Sequence, residues 1–342
     1  MTTEESAARA WSAVGELHHR YLTGALLGLV QRHGETRAAA VCEALFRRQH
    51  LEAFLPGLTK LGLTGLPHAV ACAQYHVLSN ALGGVRVVWI PESDRKSWVR
   101  YLPPRWIFDG TAVAGIPTDV SRAMLRGWHA HNGPTLGNPR LGFVCTMQTV
   151  DGQPGLEGYY IEEDEPLEPH ERLRFRPGER PLRDPEPLPL PNWDPVRLAK
   201  VERNYALAYT RSLLAEVGAV LGPLEGAHTL RLAGRQVAMQ YRPTIDTILG
   251  EHLDAPGLLL RMLRAQDDDA ERVEGAGGIE IRSATCRTTD GLHLSADTFE
   301  GWNGIWEGFA ALDGLRLDVV GRADLGDPAY IWRFRPMPGP LR

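Results

Sequence analysis

The chain is poor in the features that would place it in several large functional classes. Its four cysteines, Cys42, Cys72, Cys145 and Cys286, lie far apart without C-x-x-C spacing, which argues against a structural zinc site or redox pair and for reduced thiols. No apolar run approaches the length of about 20 residues that spans a bilayer. The opening residues Met1-Thr2-Thr3-Glu4-Glu5-Ser6 carry acid where a secretory signal carries base. Both features point to a cytoplasmic protein with no membrane partner. Lysine and arginine number 37 against 42 acids, for a net charge of -5, so the clustered basic excess that holds nucleic acid is missing. There is no Walker motif, strand-linked GxGxxG, GxSxG elbow, HExxH or EF-hand loop, and so no positive sign of nucleotide binding, serine hydrolysis or zinc proteolysis. No cofactor and no metal are expected.

What is present is enough material for two packed cores: 342 residues, 43% hydrophobic and 23% charged. Nine prolines fall between Pro166 and Pro195, ending in Pro185-Glu186-Pro187-Leu188-Pro189-Leu190-Pro191. Proline fixes φ and removes a backbone donor, so this stretch should lie extended on the surface. The reading is a first repeat over residues 1–165, a Pro-rich linker over 166–195 and a second repeat over 196–342.

The two halves repeat one another. Gly127-Trp128-His129-Ala130-His131-Asn132-Gly133, then Phe143-Val144-Cys145, then Gly158-Tyr159-Tyr160 are replayed as Gly301-Trp302-Asn303-Gly304-Ile305-Trp306-Glu307, Leu315 to Val319, and Gly326 to Trp332. Helical spacing of apolar residues predicts helices from Ala7 to Arg32 and, after a stop at Gly34, from Glu35 to Phe54 before Pro56. Their later counterpart runs from Arg197 to Val220. Double glycines open strands at Val85–Ile90 and Ile279–Arg282, and helices follow over Asp119–His131 and Asp297–Leu312. The fold class expected is α+β: an internal duplication of a small antiparallel sheet covered by helices, forming a pseudo-dimer. A homodimer of the whole chain is compatible with it.

Unusual residues concentrate between Tyr75 and Cys145. His129 and His131 form an H-x-H, but on a helix positions two apart point in different directions, which disfavours a metal pair. His131, followed by Asn132 and a Gly-Pro turn, is the candidate general base. Glu92, after a strand and beside Arg95 and Lys96, and Glu307, in the duplicate of the His131 region, are its candidate carboxylate partners; a solvated charged turn and an exposed helix glutamate are the plainer readings. Arg105 is the candidate anion clamp beside Trp106. Trp106 and Trp128 would wall the pocket, with His129, Asn132, Tyr75 and His76 as substrate-binding groups. Cys145 reads as a packed strand thiol.

In the order long helical segment, strand pair, helix and final Gly-x-x-x-Tyr/Cys-x-x-x-Phe strand, here Gly326 to Phe334 with Tyr330 at the variable position, the chain resembles the vinyl-reductase-like domains and the L-2-amino-thiazoline-4-carboxylic acid hydrolase-like proteins. The resemblance implies a small-molecule hydrolase acting on a carbon–nitrogen bond of a small polar heterocycle such as a cyclic amidine. The alternative it implies is a non-catalytic small-molecule or tetrapyrrole-binding sensor or carrier, which the nine tryptophans would also suit.

Overall fold

The computed structural model describes residues 3–103, 107–108, 114–190, 194–275 and 277–337. The chain divides into two compact units, one holding Met1–Arg32 with Trp193–Arg342 and the other His33–Asn192. Both are α+β, each an antiparallel-rich sheet covered by helices.

The first helix, α1 (Thr3–Lys60), is broken at Gly34, where φ 77° and ψ 171° leave the helical region at a residue without a Cβ. The stop expected at Gly34 is therefore real. The second arm runs on past Phe54, carrying Pro56 in its closing turns. Then come α2 (His68–Ala81), the hairpin β1 (Val87–Ser93) and β2 (Lys96–Tyr101), the short pair β3 (Ile107–Phe108) and β4 (Ala114–Gly115), α3 (Thr118–Gly127), α4 (Asn132–Thr135), and strands β5 (Leu141–Met147), β6 (Leu156–Glu162) and β7 (Leu173–Phe175). The later half supplies α5 (Pro195–Leu221), α6 (Pro223–Leu249), α7 (Ala255–Ala265), the hairpin β8 (Ala270–Gly275) and β9 (Gly278–Ser283), α8 (Ala296–Leu312), β10 (Leu315–Gly321) and β11 (Tyr330–Pro336).

The duplication is legible in the strand order. One sheet reads β1-β2-β6-β5-β7 and the other β8-β9-β11-β10. In each, a hairpin is joined through its second strand to the last strand of the repeat. The bulges match as well, between Cys145 and Met147 in β5 and between Val319 and Gly321 in β10. Gly222, between α5 and α6, has φ 89° and ψ 153°, the counterpart of Gly34.

The helix crossings refine the alignment of the halves. A Cβ on Gly127 would lie 2.4 Å from the Glu43 carbonyl oxygen, and one on Gly304 would lie 2.3 Å from that of Arg231. Glu43 and Arg231 stand equally far beyond Gly34 and Gly222. Gly127 thus corresponds to Gly304, one helical turn from its sequence match with Gly301.

Two boundaries differ from the sequence reading. The α1 arm before Gly34 groups with the later half, not with residues 33–165, because its apolar face packs there. Tyr21 meets the Trp302 ring edge-on at 5.0 Å, His18 Nδ1 lies 3.0 Å from Thr210 Oγ1, and Gly28 faces Ala233 of α6. The proline-rich stretch is also more than a tether. Its Leu173–Phe175 segment adds β7 in parallel to β5, and Glu186 bridges to Trp89.

Candidate functional site

Six of the residues singled out by sequence gather in the His33–Asn192 unit, around the sheet face covered by α2. Helical spacing brings Cys72, Tyr75 and His76 to the buried side of α2. Strand alternation brings Tyr160 of β6 and Phe143 of β5 to the same layer, where they are direct cross-strand partners. The helix expected through His131 stops at Gly127. Trp128 caps it, with φ −108° and ψ −69° and its N–H donating to the Met124 carbonyl, and a tight turn over His129–His131 follows.

That turn separates the two histidines. His129, 2% exposed, points inward: its Nδ1 lies 2.5 Å from the Tyr160 hydroxyl, and its ring stacks on His76 at 4.3 Å and 12°. Asn132 Nδ2 donates to the same hydroxyl at 2.9 Å. His131 instead faces His50 of α1, with ring centroids 6.1 Å apart. Trp128 closes the layer, 5.6 Å from His50 and 6.0 Å from Tyr75. Six sequence candidates, Tyr75, His76, Trp128, His129, His131 and Asn132, are therefore neighbours. Among the described residues no group of three side chains suited to hold a metal comes together.

Protonation follows from burial. Tyr160 is held well above the ordinary phenol value, chiefly by desolvation, so it keeps its proton at neutral pH. His50 is pushed down to about 3, first by burial, then by the Arg47 and His131 charges, against the Asn132 amide. Arg47 Nη1 lies 3.0 Å from His50 Nδ1. A guanidinium can only donate, so His50 carries its single proton on Nε2. His131, half-buried, is lowered by desolvation, then by Arg47 and Arg172, with Glu43 acting in the opposite direction. It is a neutral imidazole at pH 7. His50 Nε2, Trp128 Nε1 and Asn132 Oδ1 are buried without a hydrogen-bond partner among the described residues; the His50 ring and the Asn132 amide are near enough to interact but do not close a bond of ordinary geometry.

The other candidates lie elsewhere. Glu92 accepts from Trp98 Nε1 at 2.7 Å and pairs with Lys96 at 3.1 Å. Trp98 packs on Tyr159, with ring centroids 4.5 Å apart, on the sheet face opposite Tyr160, so strand alternation keeps Glu92 away from His131. Glu307 belongs to the other unit, where Arg231 takes both its oxygens at 2.6 and 2.9 Å. Arg105 and Trp106 lie outside the described residues. Cys145 is buried and its thiol is pushed up to about 12 by desolvation, which removes it as a nucleophile. The sequence reading missed His50, Arg47, Glu43 and Arg172; the available signal was the helical spacing of Glu43, Arg47 and His50 along α1.

A second polar feature lies at the start of α2. An open cleft of about 580 Å³ is lined by Gly65, Pro67, His68, Asn138, Arg140 and Glu162 among others. Asn138 Nδ2 donates to Glu162 Oε2 at 2.9 Å and lies 3.1 Å from His68 Nδ1. Arg140 Nη2 reaches Glu162 Oε1 at 2.5 Å. The charges in this cleft are internally matched, and no aromatic ring of Phe, Tyr or Trp is among its lining residues. Comparison with known families, characterised proteins and solved structures returns no match, so a functional reading of the chain rests on its own residues.

Proposed function

We propose that the protein is a binding module for a small polar molecule, held at the mouth of the cluster built from His50, Tyr75, Trp128, His131 and Asn132. The observation that carries this reading is the trio of buried atoms lacking partners, Trp128 Nε1, His50 Nε2 and Asn132 Oδ1, within a wall of aromatic rings. Leaving such an atom unpaired costs roughly 1–3 kcal/mol. A guest that accepts from the indole and imidazole and donates to the amide would recover part of it. A few directional polar groups set in aromatic walls are the usual makings of a small-molecule site.

Hydrolysis of a carbon–nitrogen bond is the second reading. It is favoured by His131, half-buried and kept neutral beside Glu43, since a neutral imidazole near a carboxylate is a competent base. Glu92 and Glu307, engaged by Lys96 and Arg231, do not serve it. Thermal-shift screening of small heterocycles, carboxylates and amides separates the two. A compound that raises the melting temperature of the wild type and of His131→Ala, but not of Trp128→Phe, supports the binding module. Turnover of a cyclic amidine by the wild type that vanishes in His131→Ala would transfer the assignment to the hydrolase.

A further inference from the structure

We infer that the outer edge of β10 is an interface between two copies of this chain, joined antiparallel about a two-fold axis at Leu317. The interface is a property of the later sheet alone and holds whatever the ligand site binds.

The duplicated sheets differ at one edge. Their registers align β5 with β10 residue by residue: Phe143 faces Tyr160 as Leu317 faces Phe334, and Cys145 precedes its bulge as Val319 does. In β5 the groups turned away from β6 are taken up by the chain around β7. The Phe143 N–H donates to the Arg172 carbonyl at 2.8 Å, and the Cys145 carbonyl accepts from the Arg176 N–H at 2.9 Å. β10, by contrast, stands at the end of its sheet. By the same register Leu317 and Val319 turn their N–H and C=O groups outward, and among the described residues no backbone partner meets them. Two neighbours support that orientation. Pro336, which has no N–H to give, stands opposite Leu315, whereas Gly314, one position earlier, accepts from Met337 at 2.9 Å.

The other outer strands lack this combination. β1 is met by Glu186, whose N–H donates to the Trp89 carbonyl at 3.0 Å, and β7 is three residues long. β8 carries Glu271, Arg272 and Glu274 among its six residues, the charged composition that keeps an edge in water.

An unpaired edge can take any extended chain, and the sequence of β10 favours its own. With the axis at Leu317, that residue meets Leu317 of the second copy and Leu315 meets Val319, all through outward N–H and C=O groups. Arg316 then falls opposite Asp318 twice, at the closer pairs that share no backbone bond. An axis at Asp318 would instead set like charges face to face. Asp318 has room for a second cation, because Arg316 and Arg335 of its own chain both bind Oδ2, each at 3.1 Å. Within its sheet Arg316 faces Arg335, a like-charge pair that another carboxylate relieves. Exposed Leu312 and Val320 flank the strand, and the two-fold brings the start of one β10 beside the end of the other, so the two apolar residues come to the same end. Five paired residues a side cover less than the roughly 1,600 Å² of a standard interface, so the dimer should build up only with concentration.

The test is sedimentation velocity of the full chain from about 1 to about 200 µM, the range in which a small interface of this kind associates. Wild type, Arg316→Asp, Asp318→Arg and an equimolar mixture of the two variants are compared, with circular dichroism confirming that each is folded. The wild type should pass from monomer to dimer across that range. Each variant alone places like charges opposite one another and should raise the dimer Kd at least about tenfold. Mixing them restores opposite charges at both pairs and should return the dimer. Hydrogen exchange of the wild type gives a readout that needs no variant: the Leu317 and Val319 amides should slow as protein concentration rises, while those of β8 should not. A wild type that stays monomeric throughout, or a dimer indifferent to both substitutions, would overturn the interface. So would a monomer whose β10 amides slow on addition of a synthetic peptide of residues 171–178, which would give the edge to an extended partner held as β7 is held on β5.

Discussion

The same substitution, glycine to alanine in the interior of a helix, should have opposite signs at Gly28 and Gly304. Alanine is favoured over glycine in a helix by about 1 kcal/mol at either position. The space available to the new methyl decides the rest. At Gly28 the nearest atoms would be Ala233 Cβ at 3.7 Å and Thr229 Cγ2 at 4.0 Å, ordinary contact that adds packing. At Gly304 the methyl would sit 2.3 Å from the Arg231 carbonyl oxygen and 2.5 Å from its Cα, and a backbone cannot step aside as a flexible side chain can. Relief requires α8 to move off α6, and α8 carries Phe299, Trp302, Ile305, Trp306 and Phe309 into the core. Overpacking of this kind costs about 1–3 kcal/mol, which outweighs the propensity gain. Gly28→Ala should therefore stabilise by up to ~1 kcal/mol, and Gly304→Ala, whose clash with rigid backbone belongs in the upper part of the overpacking range, should destabilise by about 1–2 kcal/mol net. In a domain of this size that is a separation of several degrees in Tm, at roughly 2–4 °C per kcal/mol. Urea unfolding followed by circular dichroism and tryptophan fluorescence measures both. A Gly304→Ala protein as stable as the wild type would refute the crossing geometry, and with it the pairing of Gly127 with Gly304.

Three further outcomes are expected. His18, 1% exposed, is lowered to about 3 by burial and then by His19. The unfolded chain takes up that proton near pH 6.5 and the folded one does not, so the stability concerned is intact above 6.5 and is lost as pH falls toward 3. At pH 5 the loss is about 2 kcal/mol, and His18→Gln should flatten the stability profile between pH 7 and 5; an unchanged slope would count against a buried neutral ring. Tyr160→Phe deprives Asn132 Nδ2 and His129 Nδ1 of their shared partner and should cost about 2–4 kcal/mol. Tyr159→Phe loses bonds that face solvent, one to the partly exposed Glu179 at 3.0 Å and a long one from Arg176 at 3.5 Å, and should cost about 1 kcal/mol, so equal losses in urea melts would contradict the network. All four cysteines are buried thiols outside any disulfide, so Ellman's reagent should label none within minutes in the native protein and all four in guanidinium; rapid native labelling of Cys145 would contradict its place in the packed strand.

The sequence carried the fold further than the site. Double glycines, strand alternation and matched helix stops were enough to read two copies of one α+β unit. What they could not convey was which helix packs on which core. The pattern of Trp11, Val14, Leu17, Tyr21, Ala25 and Leu29 declares one apolar face but not its partner, and the partner turned out to include Trp302. Periodicity also failed at Trp128, because Gly127 in the sequence does not tell a close helix crossing from a helix end, and here it is both. It is Trp128 stacked on Tyr75 and edge-on to His50, with the hydrogen bond between Tyr160 and His129, that holds the chain in a tight turn. The carboxylates chosen for His131 failed for a related reason. A glutamate shows its charge in sequence but not the sheet face it lands on, nor the arginine that neutralises it. Arg47 and Arg172, far apart in the chain, carry no sequence sign that both act on His131.

A duplicated unit would ordinarily bring two sites, and the interior chemistry argues for one. Around α8, Asn303 uses both ends of its amide, accepting from Trp332 Nε1 at 2.6 Å and donating to the Phe299 carbonyl at 2.7 Å. His18 bonds Thr210 at 3.0 Å, and the Tyr21 hydroxyl is left over. Around α2 the balance is reversed: the Tyr160 bonds are made, yet Trp128, His50 and Asn132 each keep a buried polar atom unpaired. The polar groups lining α8 are thus largely spent on packing, whereas three neighbouring residues around α2 keep two donors and an acceptor unpaired. A compound found in the thermal-shift screen should accordingly bind with a stoichiometry of one per chain when titrated by calorimetry. Two equivalent sites would mean that the unpaired atoms around α2 are not what selects the ligand.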